Sequence, residues 1–279
     1  MNFLPHPRQS VWTVILITTL SVLFWACQPA PGLDPPVPRL TQTITAYYFK
    51  DRPPRAPGGV TQSLTYQTIP FYASYRTQTR FTYDPQQRIT QVKTTDADYP
   101  NDSLSALGNV TFQYTGNTIT LTNLKVSPVL PLTYSLTPAG YISEHRRYDS
   151  EGYLVAQQET LFLTRQTILA GNIRERVTED AIGRMTTSYE YDLLKRSLPD
   201  PYVAQHGRSS RNLVVKATSV GESFTGVAPV MANRTTQVYE YALNADGTIR
   251  QQTVYIGENF AADQPIGWYR IEVTTFGYN

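Results

Sequence analysis

A six-residue unit recurs along this chain: a polar turn former, two variable residues, glycine, a polar or tyrosine residue, then an apolar residue. Asp149-Ser150-Glu151-Gly152-Tyr153-Leu154, Asp180-Ala181-Ile182-Gly183-Arg184-Met185 and Asn244-Ala245-Asp246-Gly247-Thr248-Ile249 are three copies. Thr137-Pro138-Ala139-Gly140-Tyr141-Ile142 opens with Thr, and Asp84-Pro85-Gln86-Gln87-Arg88-Ile89 carries Gln87 in place of glycine. The spacing has a physical meaning. Asp, Asn or Thr at the first position bonds the backbone ahead of it, and glycine three residues on accepts the positive φ that follows a type I turn in a bulged hairpin. The apolar residue two places later re-enters a strand on a defined face. Gly116-Asn117 marks a tighter hairpin between Tyr114 and Ile119.

Between these turns the chain alternates with period two, as in Val110-Thr111-Phe112-Gln113-Tyr114, Ile119-Thr120-Leu121 and Ile271-Glu272-Val273. Such runs present apolar residues on one face of a strand. The sequence contains 20 Tyr, a residue that packs well on a pleated surface. From about Leu40 onward no stretch keeps a helical period over three turns. Successive hairpins predict an all-β, antiparallel meander, because parallel strands require long crossovers. The expected architecture is one large curved sheet or a partly closed barrel, formed by a single domain over 40–279.

Residues 1–26 read as a lipoprotein signal peptide. Val11 to Ala26 carries no charge over 16 residues, short of the roughly 20 a membrane span needs and suited to a secretory signal. Cys27 follows small Ala26 and is the only cysteine. The segment resembles a lipoprotein signal whose cysteine receives diacylglycerol, although Phe24 and Trp25 stand where that pattern prefers Leu-like and small residues. The alternative is an uncleaved amino-terminal anchor. The region 27–39 then reads as lipidated Cys27 plus a tether, with five prolines among the twelve residues from Gln28 to Arg39. In polyproline II form it would span roughly 35–40 Å. These features predict a lipid-anchored protein of the outer membrane, on its periplasmic or cell-surface face.

Several turn units carry Tyr immediately before them, as in Tyr83-Asp84 and Tyr148-Asp149, and this resembles the tyrosine–aspartate (YD/RHS-like) repeats of large bacterial shell proteins. A wider likeness rests on Phe81-Thr82-Tyr83-Asp84, Gln113 to Leu121, Ser210-Arg211-Asn212-Leu213-Val214-Val215-Lys216 and the hairpin from Tyr239 to Tyr255. Together with the lipoprotein signal, these resemble a Bacteroidetes-type envelope lipoprotein family, a domain of unknown function built from such hairpins. The resemblance implies a β-rich envelope lipoprotein and transfers no catalytic residue.

Catalytic signatures are sparse. Beyond the signal, only His145 and His206 are histidines, and no His-Glu-x-x-His or paired-Cys motif supports zinc. His145 reads as part of a charged strand face with Glu144, Arg146 and Arg147. Gly221-Glu222-Ser223-Phe224-Thr225-Gly226 misses the nucleophile-elbow spacing, so Ser223 reads as a loop residue. No cofactor is expected, and a net charge of +2 gives no reason to expect nucleic acid. The aromatic side chains Tyr47, Tyr48, Tyr72, Tyr75 and Trp268 are the candidate ligand-binding residues, although the same residues equally suit packing within the sheet. The segment Lys195 to Arg211 breaks the alternation and reads as a long loop. Asp102-Ser103-Leu104 resembles a bacterial O-glycosylation signal. The expected function is a non-catalytic scaffold or binding module for a glycan, a peptide or another envelope protein. The alternatives are a glycan hydrolase with two facing carboxylates and a shell enclosing a ligand.

Overall fold

The computed structural model describes residues 39–51, 63–98, 106–125, 129–197, 205–224, 234–259 and 266–279. The signal, the tether as far as Pro38, Gly58-Gly59 and the Ser103 sequon lie outside the described residues. Among the described residues sixteen strands follow one another: β1 Leu40–Phe49, β2 Ser63–Tyr66, β3 Ile69–Tyr83, β4 Ile89–Asp96, β5 Ala106–Thr115, β6 Thr118–Asn123, β7 Leu132–Ser135 and β8 Arg146–Tyr148 come first. β9 Leu154–Gln158, β10 Phe162–Leu169, β11 Asn172–Asp180, β12 Gly183–Arg196, β13 Asn212–Ser223, β14 Arg234–Leu243, β15 Ile249–Asn259 and β16 Gly267–Tyr278 complete them. The protein is all-β, and its strands form one antiparallel meander in the order β7-β6-β5-β4-β3-β1-β16-β15-β14-β13-β12-β11-β10-β9-β8, with β2 paired to β3.

The hairpins follow the turn chemistry. In four of the five units the first and fourth residues close a type I turn: Gln87 N–H donates to Asp84 O at 2.9 Å, Gly140 to Thr137 at 2.8 Å, Gly152 to Asp149 at 3.1 Å and Gly247 to Asn244 at 3.0 Å. The fourth residue has positive φ in each, including Gln87 at 68°. The Asp180 unit departs from this expectation. Asp180 Oδ1 accepts from both Ile182 N and Gly183 N at 2.8 Å, and Gly183 is not among the positive-φ residues. Glycine is needed there for approach instead, since a Cβ would meet the Glu222 carbonyl oxygen at 2.6 Å.

The sheet curls without closing into a continuous ladder. Its two ends, β7 and β8, meet through the Leu136–Ile142 bridge. Ser143 N–H adds a bond to Ser135 O at 2.9 Å, and Ser135 N–H donates to the Glu144 carboxylate. The chain turns at Glu144–His145 before entering β8, with His145 at φ 55°; this replaces the continuous charged strand expected there. Ser223 ends β13, opposite Gly183.

Two apolar clusters hold the sheet. Ala46, Tyr48, Phe71, Ala73, Trp268 and Ile271 form one, with Tyr66 and Tyr255 packed against it. Ile89, Val92, Phe112, Ile119 and Ile142 form the other. Ile142 is only 1% exposed, so the stitch between the sheet's ends is anchored in apolar packing.

Antiparallel order makes the connections alternate between two ends. At one of them lie the turns at 84–88, 116–117, 137–141, 149–153, 170–171 and 244–248, and the connection from β12 to β13. Arg39 and Asn279 exchange backbone bonds at the same end. This is the turn end of the domain.

Candidate functional site

Among the described residues, two clefts at the turn end share Tyr141. The first has a volume of about 580 Å³, and Tyr83, Arg88, Tyr114, Asn117 and Gln205 line it with Tyr141. Arg88 is committed there: it pairs with Asp84 at 2.7 Å and lies over the Tyr114 ring, 4.3 Å from its centre. Burial raises the Tyr114 pKa, opposed by Arg88, so the ring carries a neutral hydroxyl at neutral pH. The cleft offers aromatic surface, amides and hydroxyls.

The second cleft, of about 870 Å³, is cationic. Arg196, Arg208 and Arg211 line it with Ser209 and Tyr153, and Asp149 and Glu151 contribute its carboxylates. The three arginines are exposed, and their side chains have no ion-pair partner among the described residues. Asp149 is already engaged, its Oδ1 accepting from Glu151 N at 3.0 Å and Tyr153 N at 2.9 Å.

The segment from Gln205 to Arg211 forms the frame between the clefts. Ile142 N–H donates to Gln205 O at 2.9 Å, Arg208 N–H to Gly152 O at 2.9 Å, and Arg211 N–H to Gly171 O at 2.8 Å. Gly207 makes this docking possible: at φ 105°, a Cβ on it would stand 2.9 Å from the Tyr148 ring and 3.0 Å from Gly152 O. Below, Asn212 N–H donates to Asn172 Oδ1 at 2.9 Å, and Asn172 Nδ2 donates to Asn212 Oδ1 at 3.0 Å. Tyr191 Oη bonds Ile173 O at 2.7 Å and Ser210 Oγ at 2.9 Å. The sequence reads this stretch as a long loop; its described part is tied to three neighbouring segments.

His206 belongs to this segment and is half-buried. Burial lowers its pKa, Arg146 lowers it further and Glu159 opposes both. Arg146 itself is almost buried, 3.7 Å from Glu159, and its Nε has no hydrogen-bond partner. Among the described residues no group of three or more His, Cys, Asp or Glu converges as a metal site would require.

The five aromatic candidates of the sequence do not form one group. Tyr47 and Tyr75 are register partners and stack with ring centres 4.4 Å apart. Tyr48 points to the other face of β1 and is 3% exposed. Trp268 joins the same core at 9% exposure, and its indole N–H donates to Gln67 Oε1 at 3.0 Å. Tyr72 is half-buried opposite Phe49. None of the five lines either turn-end cleft. Tyr83, Tyr114, Tyr141 and the three arginines were missed as a group, because they come from turns far apart in sequence. The one available signal was the density of Arg and Ser in the break from Lys195 to Arg211.

No protein-family model matches the chain, and no curated protein matches it. Among solved structures, the crystal structure of a porin-like protein from Bacteroides uniformis aligns with 86% of this chain and 96% of its own, at 12% identity and a TM-score of 0.48.

Proposed function

We propose that this protein is a non-catalytic binding module of the cell envelope, held on the outer membrane by a lipid on Cys27, and that its ligand is a glycan seated at the turn end. The observation that carries the reading is the pair of adjoining clefts. Tyrosines, amides and hydroxyls line one of them, a mixture of aromatic and directional polar groups that suits polyhydroxylated rings. The rigid backbone ties around Gly207 favour a preformed site, which reduces the ordering cost of binding.

The anchor rests on the sequence: a short uncharged segment, Ala26-Cys27 and the proline-rich tether. Cys27→Ser is expected to move the protein from the membrane fraction to the soluble fraction; retention unchanged by that substitution would reject the anchor. The binding reading is tested by passing glycans released from the producing cell's own envelope over the immobilised full chain. Retention of intact glycan, weakened about tenfold or more by Tyr114→Ala or Tyr141→Ala, supports it. New reducing ends in the eluate would establish a hydrolase instead, and retention indifferent to both substitutions would place the site elsewhere.

A further inference from the structure

Three guanidiniums in one cleft call for a negatively charged ligand. Arg196, Arg208 and Arg211 line the cavity beyond Tyr141 without an ion-pair partner among the described residues. Exposed arginines such as Arg80, Arg174, Arg234 and Arg250 also lack an ion pair among the described residues, whereas Arg184 pairs with Glu222 at 2.6 Å and Arg88 with Asp84. What sets Arg196, Arg208 and Arg211 apart is that they line one cleft together. The main chains of Arg208 and Arg211 are held by their bonds to Gly152 and Gly171, so both side chains start from fixed points. Glu151 and Asp149 share the cleft, but the Asp149 carboxylate is turned into its own turn. A guanidinium fork matches the two oxygens of a carboxylate, sulfate or phosphate.

We infer that the turn-end site takes an acidic glycan: its sugar rings lie along the cleft that Tyr114 and Tyr141 line, and its charged groups meet Arg196, Arg208 and Arg211. This deepens the proposed function and rests on it. Tyr141 is the hinge of the argument, because it belongs to both clefts; a ligand long enough to cross it passes from neutral aromatic surface to cationic surface. The arginines thus select among glycans by charge, while the tyrosines supply contact that charge does not change.

The test uses the full-length protein in detergent micelles with two probes, a heparin-derived hexasaccharide and neutral isomaltohexaose, at two salt concentrations. The sulfated probe is expected to bind and to weaken with salt. Substituting Arg196, Arg208 or Arg211 by Gln should weaken it about tenfold each, as removal of a charged hydrogen bond does, whereas Arg174→Gln with Arg250→Gln, on exposed strand positions, should change it less than about twofold. Equal loss in the triple arginine variant and in that control, or no binding of the sulfated probe, overturns the inference. Capture of phosphatidylglycerol vesicles, lost in the triple variant while the hexasaccharide is ignored, overturns it in favour of a lipid headgroup. If isomaltohexaose or the envelope glycans still depend on Tyr114 and Tyr141 while the arginines are immaterial, the inference falls and the glycan-binding reading stands. If neither set of residues matters, both fall.

Discussion

Gly207 shows how one residue positions a site. It combines φ 105° with a Cβ direction blocked by the Tyr148 ring and the Gly152 carbonyl. Gly207→Ala is therefore expected to cost about 2–4 kcal/mol, the sum of backbone strain and overpacking, measured as a shift in urea midpoint. Nothing in the sequence marked this glycine, since its constraint comes from Tyr148 and Gly152, more than fifty residues upstream. Gly152 and Gly247 were legible because their own turns demand positive φ. Tyrosines set a second residue-scale property. The Tyr148 hydroxyl donates to Ile142 O at 2.7 Å, and burial, opposed by Arg146 and aided by Tyr141, pushes its pKa up to about 12. Burial likewise raises Tyr47, Tyr191 and Tyr241. The unfolded chain then loses these protons first, near pH 10, so the tyrosine contribution is complete below about pH 10 and declines as pH rises towards 12. Urea midpoints that fall between pH 9.5 and 11.5, together with delayed tyrosinate absorbance in the native state, are the expected result. Midpoints flat across that interval would show that the hydroxyls are not held protonated by the fold.

At the scale of elements, the hairpin grammar was legible where it is local. A polar residue, a type I turn and a positive-φ fourth residue predicted the ends of β3, β8 and β14, and Gln87 adopts that φ without being glycine. Two hairpins escaped because their residues are atypical: Gln67-Thr68 and Ala170-Gly171 each place two consecutive residues at positive φ, a type I′ geometry that normally advertises itself with Asn-Gly. The stitch at Leu136–Ile142 was also invisible, as its turn looked like any other hairpin while its partners belong to the two ends of the sheet. Ile142→Ala should destabilise the domain by about 2–5 kcal/mol through the cavity it leaves. It should also raise amide exchange across 135–144 more than across β14 and β15. Uniform exchange would mean that the stitch contributes nothing distinctive.

At the scale of the molecule, neighbour pairing along the meander follows from short turns, but the insertion of β1 between β3 and β16 does not. Tyr47 pairs with Glu272 and Tyr48 with Ile271, contacts that join the two extremes of the domain and that no local pattern encodes. The same non-local closure explains why the aromatic candidates divide. Period two in β1 sends Tyr47 and Tyr48 to opposite faces, and the core that claims Tyr48 and Trp268 exists only once β16 lies beside β1. The turn-end site is likewise a product of topology, because it gathers side chains from β3–β4, β5–β6, β7–β8 and β12–β13 connections that the meander brings to one end.

The central claim is that ligand is held at this end and not on the strand faces. Hydrogen–deuterium exchange of the full-length protein, with and without the glycans released from its own envelope, tests it most directly. The account predicts slowed exchange confined to 83–89, 112–119, 137–153, 196–197 and 205–211. Slowed exchange around Tyr47 and Tyr75 instead, or no change anywhere, would contradict it.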